Sequence, residues 1–202
     1  MEFILASASP RRHEILTGLG LSIRVEVSDA NEDSNETDAA KLTEDLAKRK
    51  GEAVAKKLGY TDKKVIIACD TVVVCDGEIL GKPSDMEDAA RMIKMLSGRS
   101  HHVVSGICVI SNEKTVTAHE STEVFFGKMT ESDVETAVKL GKPMDKAGSY
   151  AIQGIASLFI EKINGDYYNV VGLPVNLLSR VLLSEFDIRI CDHIEKEVDT
   201  DG

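Results

Sequence analysis

The sequence predicts a single α/β domain, and three observations carry that expectation. The chain has 202 residues, 43% hydrophobic and 29% charged, a balance that suits a globular domain with one substantial core. Short apolar runs of strand length alternate with longer amphipathic stretches bounded by capping residues and glycines. No internal repeat, linker or low-complexity block interrupts that alternation.

Residues 3–6 read as a buried strand, broken by Ser7-Ala8-Ser9-Pro10. A helix follows over 11–19, closed by Gly20. Ser9 suits its N-cap, and Pro10 suits the first turn, where a missing N–H does no harm. Ile23, Val25 and Val27 alternate as a short strand, 28–38 is an acidic loop, and 39–58 is a long helix ended by Gly59. Residues 65–68 form a second buried run that ends at Asp70-Thr71, ahead of Val72-Val73-Val74. Asp76-Gly77 signals a hairpin into 78–80. Ser84-Asp85-Met86-Glu87 has the form of a capping box for a helix running to Leu96. Residues 101–110 and 115–126 read as strands paired across Ser111-Asn112, and 130–140 as a capped helix. Residues 150–153 and 158–163 are strand-like, and 174–186 is a last amphipathic helix. Beyond Ile188 the apolar periodicity weakens, which divides the chain into a domain over 1–187 and an acidic, flexible tail over 188–202.

Composition excludes some roles. Trp is absent and aromatics are only 4%, so the core must rest on Val, Ile, Leu, Ala and Met. No apolar stretch is long enough to span a membrane, and no basic region precedes the first strand as in a signal peptide. The net charge of -10 disfavours a nucleic-acid partner, although residues 192–202 alone supply -4 of it. Cys69, Cys75, Cys108 and Cys191 show no metal-binding spacing and read as free thiols in a reducing, cytoplasmic compartment.

Several constellations are able to carry chemistry. Ser7-Ala8-Ser9-Pro10-Arg11-Arg12 joins a buried strand to a helix start, where free N–H groups, the positive dipole end and guanidiniums favour an anion. The same pattern also describes an ordinary capped helix with solvated arginines. Asp70, at the end of an apolar run, suits a divalent cation or a general base, or equally a hydrogen bond to a turn or lysine. Lys82 projects from the bend Gly81-Lys82-Pro83, by itself a plain turn. Of Lys48-Arg49-Lys50, at least two read as a solvated helix face, as do most charges of the loop carrying Asp29, Glu32, Asp33 and Glu36. His101-His102 is not a metal pair, because adjacent strand residues point to opposite faces.

Taken together, these segments resemble the Maf family. The resemblance is carried by 5–12 (LASASPRR), 68–72 (ACDTV), 81–83 (GKP), 96–101 (LSGRSH), 145–154 (DKAGSYAIQG) and 171–174 (VGLP), in order over nearly the whole chain. It implies an α/β fold with an elongated mixed β-sheet flanked by helices, two lobes and a central cleft, often as a homodimer. The implied activity is hydrolysis of a nucleoside triphosphate between its α- and β-phosphates with a divalent cation, Mg²⁺, Mn²⁺ or Co²⁺. Carried over by position, Asp70 matches the catalytic, metal-holding carboxylate, and Ser7, Ser9, Arg12, Lys50 and Lys82 match the phosphate contacts. Glu32 is the candidate for a further metal carboxylate. Arg11, Thr71 and Gln153 resemble the selectivity positions of the branch acting on dTTP and UTP. Maf-like proteins are also associated with arrest of cell division through partners, so a regulatory role is the alternative expectation.

Overall fold

Three long strands organise the molecule in a computed structural model that describes residues 1–59 and 63–194. They are β3 (Lys64–Cys75), β5 (Ser100–Ile110) and β6 (Thr115–Phe126), joined as an antiparallel sheet. On the β3 side, β1 (Glu2–Leu5) and β2 (Ile23–Val25) add in parallel, connected through helix α1 (Pro10–Gly18) as parallel neighbours require. On the other side β7 (Ile160–Asn164) pairs antiparallel with β6, giving the order β2-β1-β3-β5-β6-β7. The short β4 (Glu78–Leu80) folds back onto the far end of β3 through Asp76-Gly77, as its turn residues predict.

Helix α2 (Ala39–Leu58) covers one face of the sheet with Leu42, Leu46, Ala47, Val54 and Ala55. It lies so close that a Cβ on Gly106 of β5 would sit 2.3 Å from the carbonyl carbon of Thr43, so only glycine fits there. The opposite face is covered by α1 and by α6 (Val175–Phe186), around Phe3, Leu5, Leu16, Ile67 and Leu178. The far ends of β3, β5 and β6 build a separate core with α3 (Met86–Leu96) and α4 (Glu131–Gly141), around Val73, Leu80, Ile93, Leu96 and Val134. Two lobes therefore share one mixed sheet, flanked by helices, as the sequence implies.

Some local expectations are corrected. Residues 65–68 and 72–74 belong to one strand, because β5 pairs continuously from Ile66 to Val74 and carries the ladder through the polar Asp70-Thr71 step. Asp85, one residue later than Ser84, caps α3 by accepting from the N–H groups of Glu87 and Asp88. Residues 150–153 form no strand; Ser149 and Gly154 on either side adopt positive φ, which an extended ladder does not tolerate. Strand β7 starts only at Ile160, after a 3₁₀ turn (Ile155–Leu158). Helix α5 (Tyr167–Val171) is too short to show periodicity in the sequence. Ile188 and Ile190 are buried against the α6 core, and His193 lies edge-on to Phe3. Of the tail expected from Ile188, residues 188–194 thus pack on the domain, Ile194 bridging to Leu21, and residues 195–202 lie outside the described residues.

Candidate active site

A gap in the sheet creates the site. Strand β1 pairs with β3 only as far as Leu5 opposite Ile67, and β4 begins only at Val73 opposite Leu80. Residues 68–72 of β3 therefore have no strand neighbour on that side, while β5 runs along the other. The last rung is the Ala6 N–H donating to the Ile67 carbonyl, after which residues 7–9 turn into α1. A cavity of about 300 Å³ opens at this gap between the lobes. Ser7, Arg11, Lys50, Asp70, Lys82 and Asp145 are among its lining residues.

Strand alternation sends Asp70 to the α2 face and Thr71 to the face of α1. Asp70 is buried between Ala68 and Val72, and an unpaired carboxylate there would be costly. Lys50 of α2 answers it, with Nζ 2.6 Å from Asp70 Oδ1. The same ammonium lies 3.1 Å from Glu32 Oε2, so one cation stands between two carboxylates. Two hard oxygen donors at an open cavity, completed by phosphate oxygens, suit Mg²⁺ or Mn²⁺. Asp70 and Glu32 are the residues that would hold such an ion. Among the described residues no group of three or more His, Cys, Asp or Glu is placed to bind a metal. Of the Lys48-Arg49-Lys50 run, only Lys48 stays on a solvated face. Arg49 bonds to the main chain of the Glu32 loop instead.

Arg12 is built into the frame of the turn. Its Nε donates to the Gly172 carbonyl at 2.9 Å, and its Nη1 donates to the Cys69 carbonyl at 2.6 Å and to Ser7 Oγ at 3.2 Å. Its Nη2 donates to Thr71 Oγ1 at 3.1 Å, which leaves one guanidinium N–H for a ligand. Thr71 continues the chain to Ser105 Oγ at 2.8 Å, and Ser105 reaches the carbonyl of Asn169. The Thr71 hydroxyl is thus engaged on both sides. Ser7 Oγ also accepts from the Ser9 N–H, and Ser9 caps α1 by backbone conformation, its own hydroxyl making no cap bond to the helix. Lys82 is exposed at the cavity and pairs with no described residue.

Arg11 joins the lobes across the cavity mouth, donating to Asp145 Oδ2 at 3.1 Å and to its main-chain oxygen at 3.4 Å. Lys146, also lining the cavity, pairs with the same carboxylate. Burial pushes the Asp145 carboxyl up, but the hydrogen bond and charge of Lys146, then those of Arg11, outweigh it and hold the group below its ordinary range. Tyr150 lines the cavity from behind, with its hydroxyl 2.7 Å from His101 Nε2. Burial holds His101 down at about 4, so its ring is neutral; His102 is exposed on the opposite face. Gln153 is the one predicted site residue set apart. It is exposed behind Tyr150, beside Leu140 and Ile155, and its Nε2 donates to the Tyr167 hydroxyl at 3.3 Å. Asp145, Lys146 and Tyr150 join the site from a segment in which nothing local in the sequence shows that 145–150 folds back across the cavity mouth.

Comparison with known proteins gives the family and the fold. The model of a family described as Maf-like protein matches residues 2–185. A dTTP/UTP pyrophosphatase of Thermoanaerobacter sp. (strain X514) is 42% identical over 192 residues, covering 94% of this chain and all of that protein. One of Alkaliphilus metalliredigens (strain QYMF) is 47% identical, covering 93% of this chain and 97% of its own. The solved structure of the Staphylococcus aureus Ham1 protein superposes with a TM-score of 0.53, covering 92% of this chain and all of that one. At 16% identity the last match speaks for the fold alone.

Proposed function

This chain belongs to the Maf-like family, and we propose that it hydrolyses nucleoside triphosphates, dTTP and UTP foremost, between the α- and β-phosphates to give monophosphate and pyrophosphate. The observation that carries the reading is the Asp70–Lys50–Glu32 cluster at the sheet gap, faced by the unpaired Lys82. A triphosphate is a polyanion, so a water can attack its α-phosphorus only after charge neutralisation. A bound Mg²⁺ or Mn²⁺, with Co²⁺ as a third candidate, would supply Lewis-acid neutralisation of the phosphate oxygens. Lys82, Lys50, the free N–H of Arg12 and the hydroxyls of Ser7 and Ser9 would hold the phosphates and fix the phosphorus in line with the water. Asp70 would accept the water's proton.

For the base, Arg11 at the cavity mouth, Thr71 and Gln153 are the proposed selectivity residues. Uracil and thymine present an N3–H flanked by carbonyls, which a Gln amide matches with one acceptor and two donors. Gln153 would have to leave Tyr167 to make that contact. A homodimer and a reducing cytoplasm belong to the same proposal, and the four free cysteines support the reducing compartment alone. No described helix is long and apolar enough to cross a membrane. A purely regulatory role through a protein partner is not favoured, since it gives no reason for a lysine and two carboxylates to converge at an open cavity.

The test is an assay of dTTP with Mg²⁺ and no added pyrophosphatase. Pyrophosphate and dTMP are expected, and release of orthophosphate with dTDP would refute the cleavage position.

A further inference from the structure

Glu32 sits on an exposed loop without regular secondary structure, yet its carboxylate meets Lys50 beside Asp70. A half-exposed ion pair does little to order a loop. Among the described residues, the other hydrogen bonds reaching 31–33 from outside the loop come from Arg49. Its Nη1 donates to the main-chain oxygen of Asp33 at 2.8 Å and reaches that of Asn31 at 3.4 Å, the two carbonyls that flank Glu32. Asn31 closes the same turn from inside, its Oδ1 accepting the Asp33 N–H at 2.8 Å. Behind the clamp, Arg49 Nη2 pairs with Asp45 one helical turn earlier, so the guanidinium is fixed from both sides. Consecutive residues of α2 thus serve the site differently: Lys50 reaches Asp70 on the sheet, and Arg49 reaches sideways to the loop.

We propose that Arg49 is a positioning residue, clamping the carbonyls on either side of Glu32 so that this carboxylate is held beside Asp70 for the divalent cation. The proposal rests on the reading of the site as a cation-dependent hydrolase. The sign of its effect separates it from plain electrostatics. Deleting a nearby positive charge should by Coulomb's law tighten cation binding, whereas losing a clamp on a ligand should weaken it.

The experiment measures Mn²⁺ binding to the full chain without nucleotide, following the paramagnetic resonance of free Mn²⁺. Arg49→Gln should weaken binding about tenfold, the usual scale for a group that orients a metal ligand. Lys48→Gln removes the same charge one residue away, from a side chain paired with Glu52, and should leave binding unchanged or slightly tighter. Glu32→Gln should weaken binding at least as much as Arg49→Gln, and adding Arg49→Gln to it should weaken binding no further, leaving it unchanged or slightly tighter. In turnover, the cation activation constant of Arg49→Gln should rise in parallel while kcat at saturating cation stays within about twofold. Four results would each overturn the proposal: a wild type that binds no Mn²⁺, unchanged or tighter binding in Arg49→Gln, equal weakening by Lys48→Gln, or multiplicative losses in the double variant. If the binding pattern holds but dTTP yields no pyrophosphate, the proposed reaction fails and the positioning role stands.

Discussion

Lys50 Nζ lies 2.6 Å from Asp70 Oδ1, and the two side chains are only 13% and 12% exposed. The carboxylate at the centre of the sheet gap is therefore neutralised by the protein itself. A cation approaching Asp70 meets a lysine already engaged there, and the two must share the carboxylate or divide its oxygens.

Asp70→Asn removes the proton acceptor but keeps the shape of the side chain. It should fold normally and lose at least ~100-fold in kcat for pyrophosphate release. Turnover near the wild-type level would take Asp70 out of the mechanism.

Removing the other partner strands a nearly buried charge. Lys50→Met should lower the urea-unfolding free energy by about 2–3 kcal/mol, somewhat less than for a fully enclosed pair because the cavity admits water. The double variant Lys50→Met with Asp70→Asn should recover most of that loss. Equal instability in the single and double variants would mean that the pair is not what holds the lysine in place.

Arg12→Ala should reduce both stability and activity, because it leaves the Cys69 carbonyl without its donor and the Gly172 carbonyl with only the weak Cys69 thiol. A loss on the order of 2–3 kcal/mol in chemical denaturation is expected. Arg12→Lys should restore little of it, since a point-like ammonium cannot span acceptors on both sides of the turn. Lys82→Ala, by contrast, should leave the melting temperature unchanged and reduce kcat/KM by ~10-fold or more. A destabilised Lys82→Ala would contradict its position as an unpaired, cavity-facing cation.

His101 makes folding sensitive to mild acid. Above about pH 6.5 neither the folded nor the unfolded chain protonates it. Between that pH and about 4 the unfolded chain takes up a proton that the buried ring refuses, so stability falls with pH and then levels off. The contribution is on the order of 3 kcal/mol across the window. His101→Gln keeps a hydrogen-bonding group for Tyr150 and should flatten this part of the profile in denaturation series at pH 4.5 and 7.5 (about the edges of the window). Parallel profiles for both proteins would show that His101 does not titrate as described.

A panel of triphosphates tests selectivity. dTTP and UTP should exceed cytosine and purine triphosphates by at least ~10-fold in kcat/KM, and Gln153→Glu should abolish most of that preference. If the variant instead loses activity equally on every base, Gln153 acts only through its contact with Tyr167.

Much of the frame was legible because local rules agree with the final packing. The bounds of α2 follow from its apolar periodicity and from Gly59 at its end, and Asp76-Gly77 marks the β3–β4 turn. The joint between strand and helix at 7–12 was visible as an anion-binding pattern, and Asp70 and Lys82 as cavity-facing charges were within reach of motif reading. Arg12 shows where that reading stops. Two neighbouring arginines look alike in sequence, but Arg12 is drawn under the turn by carbonyls 57 and 160 residues away, while Arg11 faces the cavity mouth.

The sequence by itself determined the order and kind of most elements, because capping, periodicity and turn preference act over a few residues. Tertiary structure alone decided that Asp70 lies mid-strand at a gap, that Lys50 and Glu32 converge on it, and that Arg49 grips the loop carrying Glu32. The same holds for residues 188–190, whose sparse apolar pattern hides a pair of isoleucines buried against α6. Each of these depends on where β1 and β4 stop pairing with β3, or on how two helices seat against the sheet. Those are properties of registers and packing between distant segments, and no local window of sequence carries them.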